Sequence, residues 1–261
     1  MRVVLVTGAS SGIGEATARR LAREPGTALV LVARRGERLQ QLAAELGSPA
    51  TVCAVDLTAP DAPATVLAHV EREHGRLDVL VNNAGAGWRA EFADGGVGNV
   101  ERTMALNFTA VVRLTEALLP LLRAAAPGSS VVNVTSVTGR VARAGTGAYA
   151  ASKFALNGWS EALWAEERAH GVHVGLVLPG FVSTEGFPQA ELTGRRATRW
   201  LVTTPETIGE AIADVISKRR AERYAPRYYW VVAAARVLAP GLVRRVTGGR
   251  VARHLDTNVR E

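Results

Sequence analysis

A tyrosine and a lysine, Tyr149 and Lys153, stand four residues apart in a segment whose pattern predicts a helix. Residues at positions i and i+4 share one helix face, so the two side chains are expected to be neighbours. A phenol has a pKa of about 10, and a neighbouring ammonium group favours the phenolate and lowers that pKa. The pair is therefore a candidate proton donor and acceptor, although the same spacing arises by chance in many helices.

A glycine-rich loop lies between the first predicted strand and the first predicted helix, where residues 7–14 read Thr-Gly-Ala-Ser-Ser-Gly-Ile-Gly. Gly8 can form the tight turn, Gly12 lets the backbone approach a pyrophosphate, and Gly14 lets the helix pack closely on the strand. The helix would then direct backbone N–H groups at phosphate. The loop predicts a dinucleotide site, and a tight turn without a ligand is the alternative. The loop also contains Ser10, Ser11 and Ile13.

Further candidate residues follow the predicted strands. Ligands of parallel α/β sheets bind beyond the carboxyl ends of the strands. Ser136 follows the fifth strand, Asn83 follows the fourth, and the pair Pro179-Gly180 follows the sixth. Asn107 belongs to the long helix that is predicted after the fourth strand.

Taken together, these motifs resemble the short-chain dehydrogenase/reductase family in its single-domain form. The spacing Thr-Gly-x-x-x-Gly-x-Gly differs from the commoner Gly-x-Gly-x-x-Gly and matches the family. The family uses an Asn–Ser–Tyr–Lys set, which Asn107, Ser136, Tyr149 and Lys153 match residue by residue. The resemblance extends over roughly residues 2 to 218.

The resemblance implies a role for each residue of this set. Tyr149 would exchange a proton with the substrate oxygen as hydride moves to or from the nicotinamide, and Ser136 would hydrogen-bond to that oxygen. Lys153 would lower the pKa of Tyr149 and hold the nicotinamide ribose, and Asn107 would support a water molecule leading to Lys153. The resemblance also assigns to the cofactor site Asp56, Leu57, Asn83, Ala84, Gly85, Pro179, Gly180, Val182 and Thr184.

The end of the second predicted strand bears on which nicotinamide cofactor is bound. NAD sites place an acid here for the ribose 2′-hydroxyl, whereas arginine accommodates the 2′-phosphate of NADP. The strand ends in Arg34 and Arg35, and Glu37 lies too far along the chain to replace that acid. We therefore expect NADP(H), with Arg34 as the first candidate for the phosphate and Arg35 as the second. Two solvated arginines at a helix start are the alternative.

The elements that must position these residues alternate between strand and helix. The strands are continuous apolar runs, as expected when both faces of a sheet are covered. We predict an α/β fold with a Rossmann-type doubly wound parallel sheet in one three-layer α/β/α domain. The predicted strands are Val3–Val6, Ala28–Ala33, Thr51–Val55, Leu77–Val81, Ser130–Thr135 and Val172–Leu178, and the longest predicted helices are Val100–Ala125, Gly147–His170 and Pro205–Arg219.

Composition limits the class of protein further. The chain has 261 residues, 48% hydrophobic and 21% charged, which is typical of one globular domain. Its one cysteine, Cys53, excludes an intramolecular disulfide and is expected to be a buried thiol, which suits a reducing cytoplasm. The apolar run Val3–Val6 is too short for a signal peptide. We therefore expect a cytoplasmic protein.

Basic residues are concentrated towards the end of the chain. The segment Lys218–Arg253 carries a net charge of +9, whereas the whole chain carries +7. The remaining residues therefore have a slight excess of acidic groups. We divide the chain into a catalytic domain, residues 1–222, with a lid loop at about 185–203, and a basic, apolar C-terminal extension, residues 223–261. A short last strand near Arg223–Ala225 is an option within that extension.

The extension departs from the usual end of this family and bears on the partners of the chain. Because the departure puts the usual tetramer in doubt, we expect a homodimer in preference to a homotetramer. A helix packed on the core or on a second subunit is favoured for the extension. A helix lying on an anionic membrane surface, which would associate the protein peripherally with membranes, is the alternative.

Apolar residues near the predicted active site either line the substrate cleft or pack in the protein interior. The lid contains Phe187, Leu192 and Trp200, with Arg195, Arg196 and Arg199 among them, and Trp88 and Phe92 follow the fourth strand. We predict interconversion of a carbonyl and a secondary alcohol on a small or lipid-like apolar substrate. The alternatives are a catalytically silent NADP-binding regulator and an epimerase or dehydratase on the same fold.

Two other classes of site are not expected. Nucleic-acid binding is suggested only by the basic end, which has no recognition motif. No metal is expected, because His170 and His173 lack a third ligand in the sequence.

Overall fold

Seven parallel strands form the central sheet of the computed structural model, which describes residues 1–185 and 199–248. The strands are β1 (Arg2–Thr7), β2 (Thr27–Ala33), β3 (Ala50–Ala54), β4 (Val79–Asn82), β5 (Ser130–Val134), β6 (His173–Pro179) and β9 (Glu222–Ala225). Their order across the sheet is β3-β2-β1-β4-β5-β6-β9, so the order reverses direction at β1. The predicted doubly wound parallel sheet is confirmed. A second, two-stranded parallel sheet joins β7 (Phe181–Val182) to β8 (Val202–Thr203).

Helices cover both faces of the central sheet. They are α1 (Gly12–Ala22), α2 (Gly36–Glu45), α3 (Ala62–Glu73), α4 (Phe92–Met104), α5 (Ala110–Ala124), α6 (Gly147–Glu167), α7 (Pro205–Lys218), α8 (Trp230–Leu238) and α9 (Pro240–Gly248). One buried cluster joins the sheet to α1, α2 and α7 through Leu21, Leu39 and Ile212. Alternate residues of β1 point to the two faces, Val4 to this cluster and Leu5 to the cluster under α3, α5 and α6. Burial on both sides explains why strands such as β1 and β2 contain continuous apolar runs.

The helix predicted over Val100–Ala125 differs from the structure in its start and its continuity. Helical structure begins at Phe92 and passes Gly96, whose φ of 51° is non-helical. A π-helical turn, Ala105–Thr109, then separates α4 from α5. Three glycines between residues 95 and 98 concealed the first turns, because glycine has a low helix propensity.

This helical run is also the one candidate for a membrane span among the described residues. Phe92–Ala124 has a mean hydropathy of 1.4 over its most apolar window, of which 39% is buried. Buried core helices meet the same criterion, and this run packs within the protein, α4 on α6 and α5 on α3. Leu118 and Leu122 of α5 are fully buried.

The end of the chain joins the sheet before it forms the last two helices. Strand β9 pairs in parallel with β6 from Glu222 to Ala225, so the short last strand is present and crosses the boundary expected at residue 222. The thiol of Cys53 is buried, as expected. Outside the described residues lie most of the predicted lid, including Phe187, Leu192, Arg195 and Arg196, the side chain of Arg199, and the basic residues Arg250 and Arg253.

Candidate active site

The glycine loop between β1 and α1 has backbone that other residues could not readily adopt. Gly8 and Gly12 have φ angles of +67° and +56°, in the left-handed region that favours glycine. A Cβ atom on Gly14 would lie 2.2 Å from the carbonyl oxygen of Gly8, so only glycine lets α1 begin this close to the loop. The loop thus presents its backbone and the N-terminus of α1 to the space above the sheet. Such a cradle suits a phosphate group.

Hydrogen bonds tie the end of β4 to this loop. Thr7 Oγ1 accepts hydrogen bonds from the backbone N–H groups of Asn83, at 2.9 Å, and Ala84, at 3.0 Å. The side-chain amide of Asn83 donates in return to the carbonyl oxygen of Thr7, at 2.9 Å. These bonds hold the segment that contains Ala84 and Gly85 beside Gly8, on one wall of a shared cleft.

The cleft has a volume of about 860 Å³ and lies beyond the carboxyl ends of the central strands. That size is within the range of small-molecule and cofactor sites. Of the predicted site residues, all but Gly14 and Asn107 line it. The lining residues among them are Gly8, Ser10, Ser11, Gly12, Ile13, Arg34, Arg35, Asp56, Leu57, Asn83, Ala84, Gly85, Ser136, Tyr149, Lys153, Pro179, Gly180, Val182 and Thr184.

Asn107 lies behind the cleft wall, fully buried in the π-helical turn. Its Oδ1 atom accepts a hydrogen bond from the backbone N–H of Ala86, at 2.9 Å. Its Nδ2 atom donates to the carbonyl oxygen of Ala86, at 2.9 Å, and to Ser152 Oγ, at 3.1 Å. Asn107 therefore connects the segment after β4 to α6, the helix that contains Tyr149 and Lys153.

The three predicted reactive groups meet where β5 ends and α6 begins. The hydroxyl groups of Tyr149 and Ser136 are hydrogen-bonded to each other. Ser136 Oγ also accepts a hydrogen bond from the backbone N–H of Thr138, at 3.0 Å. Lys153 Nζ lies 5.8 Å from the centroid of the Tyr149 ring and donates to the carbonyl oxygen of Val134, at 2.9 Å.

Burial dominates the protonation of this group. It raises the pKa of the Tyr149 phenol, against smaller lowering effects from the hydrogen bond with Ser136 and the positive charge of Arg89. It also lowers the pKa of Lys153 to about 8. The expectation that Lys153 lowers the pKa of Tyr149 therefore does not describe the net effect in this structure. Loss of hydration disfavours the charged form of both side chains, and this effect prevails.

Arg34 and Arg35, the two arginines that follow β2, both line the cleft. Arg35 donates hydrogen bonds to Ser10 Oγ, at 3.2 Å, and to Ser11 Oγ, at 2.7 Å. Arg35 Nη1 also lies 3.5 Å from Oε1 of Glu185. The other carboxylate oxygen of Glu185, Oε2, lies 2.7 Å from Arg38 Nη1. The sequence analysis did not identify Glu185, which is separated from these arginines by about 150 residues.

Asp56, which follows β3, faces the same end of the cleft. Its Oδ1 accepts hydrogen bonds from the backbone N–H and the hydroxyl of Thr58, at 2.9 and 2.8 Å. These bonds, with a smaller contribution from the positive charge of Arg34, lower the pKa of the carboxyl group. The carboxylate is therefore ionised at neutral pH and held in one orientation.

The opposite end of the cleft combines aromatic, aliphatic and arginine side chains. Trp88 lines it, as one reading of the sequence expected, whereas Phe92 is 78% exposed and lies elsewhere. Sequence analysis missed several residues of this wall, because segments far apart in the chain bring them together and none belongs to a motif. They are Arg89, Arg102, Arg143, Tyr229, Val232 and Val246.

Tyr229 joins the C-terminal extension to the wall of the cleft. A Cβ atom on Gly180 would lie 2.1 Å from its ring, so the ring packs directly on the Pro179-Gly180 backbone. Its hydroxyl donates to the carbonyl oxygen of Leu201, at 2.9 Å. The extension therefore completes the wall beside the predicted cofactor site.

Comparison with known proteins agrees with this arrangement. The family described as short chain dehydrogenase matches residues 2–193. Dehydrogenase/reductase SDR family member 7B of Danio rerio is 36% identical over 192 residues, which cover 70% of this chain and 62% of that protein. The chain thus spans about three fifths of the length of that relative. Oxidoreductase UcpA of Escherichia coli is 34% identical over 223 residues, covering 84% of this chain and 81% of that protein.

A solved structure extends the similarity to the whole chain. The crystal structure of a short-chain dehydrogenase from Streptomyces avermitilis superposes with a TM-score of 0.78 at 31% identity, covering 99% of this chain and 98% of that one. The parallel sheet flanked by helices is the fold that the sequence resemblance implied. The chain belongs to the short-chain dehydrogenase/reductase family of nicotinamide-dependent oxidoreductases.

Proposed function

We propose that the protein is an NADP(H)-dependent oxidoreductase that interconverts a carbonyl and a secondary alcohol on a small or lipid-like apolar substrate. The observation that carries this proposal is the hydrogen-bonded pair Tyr149 and Ser136 inside the cleft, with Lys153 one helical turn further along α6. The cradle at Gly8 and Gly12 fits the pyrophosphate of a dinucleotide. When bound, the nicotinamide supplies hydride in reduction and accepts it in oxidation.

The side chains of the chain itself move and hold the proton. In reduction, Tyr149 donates the proton of its hydroxyl to the substrate oxygen, which Ser136 Oγ holds by a hydrogen bond. The raised pKa of Tyr149 keeps that proton in place at neutral pH. Lys153, with a pKa of about 8, is cationic at neutral pH and stabilises the phenolate that remains. Asn107 positions α6 through Ser152.

Selection of NADP over NAD rests on the two arginines after β2. Arg34 is the principal partner for the 2′-phosphate, because it lines the cleft near enough to Asp56 for its charge to lower the pKa of that carboxyl group. Arg35 is the secondary partner, since its guanidinium already binds Ser10, Ser11 and Glu185. Asn83, Val182 and Thr184, which also line the cleft, would hold the nicotinamide half of the cofactor.

The substrate class follows from the other end of the cleft. Trp88, Tyr229, Val232 and Val246 provide apolar surface in the same cleft as the reactive groups. Such a wall suits an apolar carbonyl compound or alcohol. Arg89 and Arg143 in the same wall would tolerate an anionic group elsewhere on that substrate.

Assembly and location are extensions of the same proposal. A homodimer is favoured over a homotetramer, because after β9 the chain forms two helices in place of the interface tail of the family. The single buried thiol, Cys53, is consistent with a cytoplasmic location. The chain then divides into a catalytic domain and a C-terminal extension, which strand β9 and Tyr229 join to that domain.

Replacement of Tyr149 by phenylalanine tests the proposal. Tyr149→Phe removes the proton donor and keeps the ring, so turnover should fall by about 100-fold or more, while NADPH binding, followed by its fluorescence, is retained. Tyr224→Phe is the matched control, because Tyr224 does not line the cleft. Near-normal turnover in Tyr149→Phe would contradict the assignment.

The complete Asn–Ser–Tyr–Lys set favours an enzyme over the catalytically silent NADP-binding regulator, which needs no proton donor. The regulator would bind NADPH without consuming it on any substrate. An epimerase or dehydratase would convert its substrate without net consumption of cofactor. Net cofactor turnover therefore separates the three.

A further inference from the structure

The last two helices expose several large apolar side chains to solvent. On α8, Trp230, Val231, Val237 and Leu238 share one face, at spacings i, i+1, i+7 and i+8, and they are 57, 51, 78 and 83% exposed. Leu242 on α9, 62% exposed, follows them in the chain. We call these five residues the C-terminal apolar stripe. Single exposed apolar side chains are common, whereas a stripe of this kind marks a binding surface.

The charges around the stripe have a single sign. Residues 223–248 contain five arginines and neither aspartate nor glutamate. Arg236 belongs to α8, and Arg244 and Arg245 belong to α9, so the charge lies on the same two helices as the stripe. Arg236 lies on the side of α8 opposite the apolar residues, since it is six residues after Trp230. A segment with apolar residues on one face and arginines on another complements a surface that is apolar inside and anionic outside.

A second copy of the chain is a poorer partner for this surface. In a two-fold dimer the same patch meets itself, so the arginines of α8 and α9 in one copy would be brought near those in the other. Like charges brought together at an interface oppose association. The core of the same chain does not cover the stripe, because Tyr229 packs at the cleft whereas the stripe is exposed to solvent.

We propose that α8 and α9 dock the protein on an anionic lipid bilayer. The apolar stripe enters the boundary between headgroups and acyl chains, and the arginines lie at the level of the lipid phosphates. The protein is then a peripheral membrane protein held by its C-terminal extension.

This docking would place the cleft next to the lipid. Val232 of α8 and Val246 of α9 line the cleft, so the helices that meet the bilayer also form part of its wall. A carbonyl compound dissolved in the bilayer would reach Tyr149 along these helices. This consequence rests on the proposed function, whereas the docking itself does not.

Cosedimentation of the full chain with vesicles tests the docking. Vesicles of phosphatidylcholine mixed with phosphatidylglycerol should bind the protein on the order of 10-fold more tightly than phosphatidylcholine alone, because each arginine near the surface adds attraction. Added salt should weaken this binding. The emission of Trp230 should shift to shorter wavelength on binding, and the shift should be absent in Trp230→Phe.

Two matched variants separate the stripe from general surface effects. Val237→Asp combined with Leu238→Asp should weaken binding on the order of 10-fold or more, because charged groups are excluded from the acyl region. Val97→Asp is the control, since Val97 is 66% exposed but belongs to α4 and not to the extension, and should leave binding unchanged. Circular dichroism shows whether each variant is folded.

Three results would overturn the proposal. One is failure of the intact protein to sediment with the mixed vesicles. Another is equal binding by the double variant and by Val97→Asp. A third is that the intact protein does not bind vesicles, while light scattering shows that the double variant has changed from dimer to monomer. That result would identify the stripe as a subunit interface. None of these readouts uses turnover, so they are independent of the enzymatic assignment.

Discussion

Lys153 is only 4% exposed, and its surroundings disfavour its charge. Its ammonium group donates a hydrogen bond to Val134 and lies below the ring of Tyr149, at the base of the cleft. Burial lowers its pKa to about 8 from the ordinary 10.5. The folded protein therefore releases this proton at a lower pH than the unfolded chain does, and its stability must depend on pH.

The sign of that dependence follows from linkage. Between pH 8 and 10.5 the unfolded chain retains the proton of Lys153 and the folded protein loses it, so the free energy of unfolding rises with pH across this window. In Lys153→Met the contribution is absent. The free energy of unfolding of the wild type, taken relative to that of Lys153→Met, should rise by up to about 3 kcal/mol between the two pH values. Urea unfolding at each pH measures it, and a difference that is constant or falls with pH would contradict the burial of a titrating Lys153.

Arg34, which follows β2, provides a second prediction at the scale of single residues. Arg34→Glu replaces the proposed phosphate partner by a repelling carboxylate, so kcat/KM with NADPH should fall by about 10- to 100-fold relative to NADH. Arg23→Glu, an equally large charge change at the end of α1 and outside the cleft, is the control. The ratio of the two kcat/KM values is measured with one substrate, and an unchanged ratio in Arg34→Glu would point to another residue.

Residues that belong to motifs could be placed from the sequence, and residues brought in by the fold could not. The spacing of Tyr149 and Lys153 predicted their proximity, because an α-helix fixes the geometry of i and i+4. The contacts of Tyr229 with Gly180 and of Glu185 with Arg35 join segments remote in the chain, and no local pattern reports them. The net rise in the pKa of Tyr149 was missed for a related reason, since it depends on how completely the folded cleft excludes water.

At the scale of elements, the junction of β1 and α1 depends most strictly on residue size. A Cβ atom on Gly14 would lie 2.2 Å from Gly8 O, which is backbone and cannot move aside as a flexible side chain could. Gly14→Ala should therefore lower the free energy of unfolding by about 1–3 kcal/mol and weaken NADPH binding. Gly47→Ala is the control, because nothing lies within 4 Å of a Cβ atom there.

Chemical unfolding and NADPH fluorescence titration check both effects of Gly14→Ala. A variant as stable as Gly47→Ala, with wild-type affinity for NADPH, would show that the close contact between helix and loop is not required.

The strands were more predictable than the helix that carries Asn107. Strands β1 and β2 are buried on both faces and contain the apolar runs Val3–Val6 and Ala28–Ala33, so periodicity and composition agree. The segment Phe92–Ala124 contains three glycines near its start and a π-helical turn at Ala105–Thr109. Propensity argues against the glycine-rich start, and nothing in the local sequence identifies the π-helical turn, which depends on tertiary contacts such as those of Asn107 with Ala86 and Ser152.

For the whole molecule, the sheet order explains why one cleft receives so many segments. The order reverses at β1, and the loops after β1 and β4 leave the sheet on either side of that point. Parallel α/β sheets bind ligands at such a reversal. The C-terminal extension then adds Tyr229 and Val232 to the open side. Its basic charge, visible in the sequence, could not by itself show that the same helices both line the cleft and expose an apolar stripe.

The most direct test of the account is cofactor turnover by the full chain. NADPH absorbance is followed with a panel of ketones, aldehydes, quinones and lipid-like carbonyl compounds, with NADH in parallel. We expect that at least one apolar carbonyl compound is reduced, much faster with NADPH than with NADH, and that Tyr149→Phe abolishes most of this consumption. Tight NADPH binding without turnover of any carbonyl compound, or of any alcohol with NADP in the reverse direction, would contradict the account and favour the regulator.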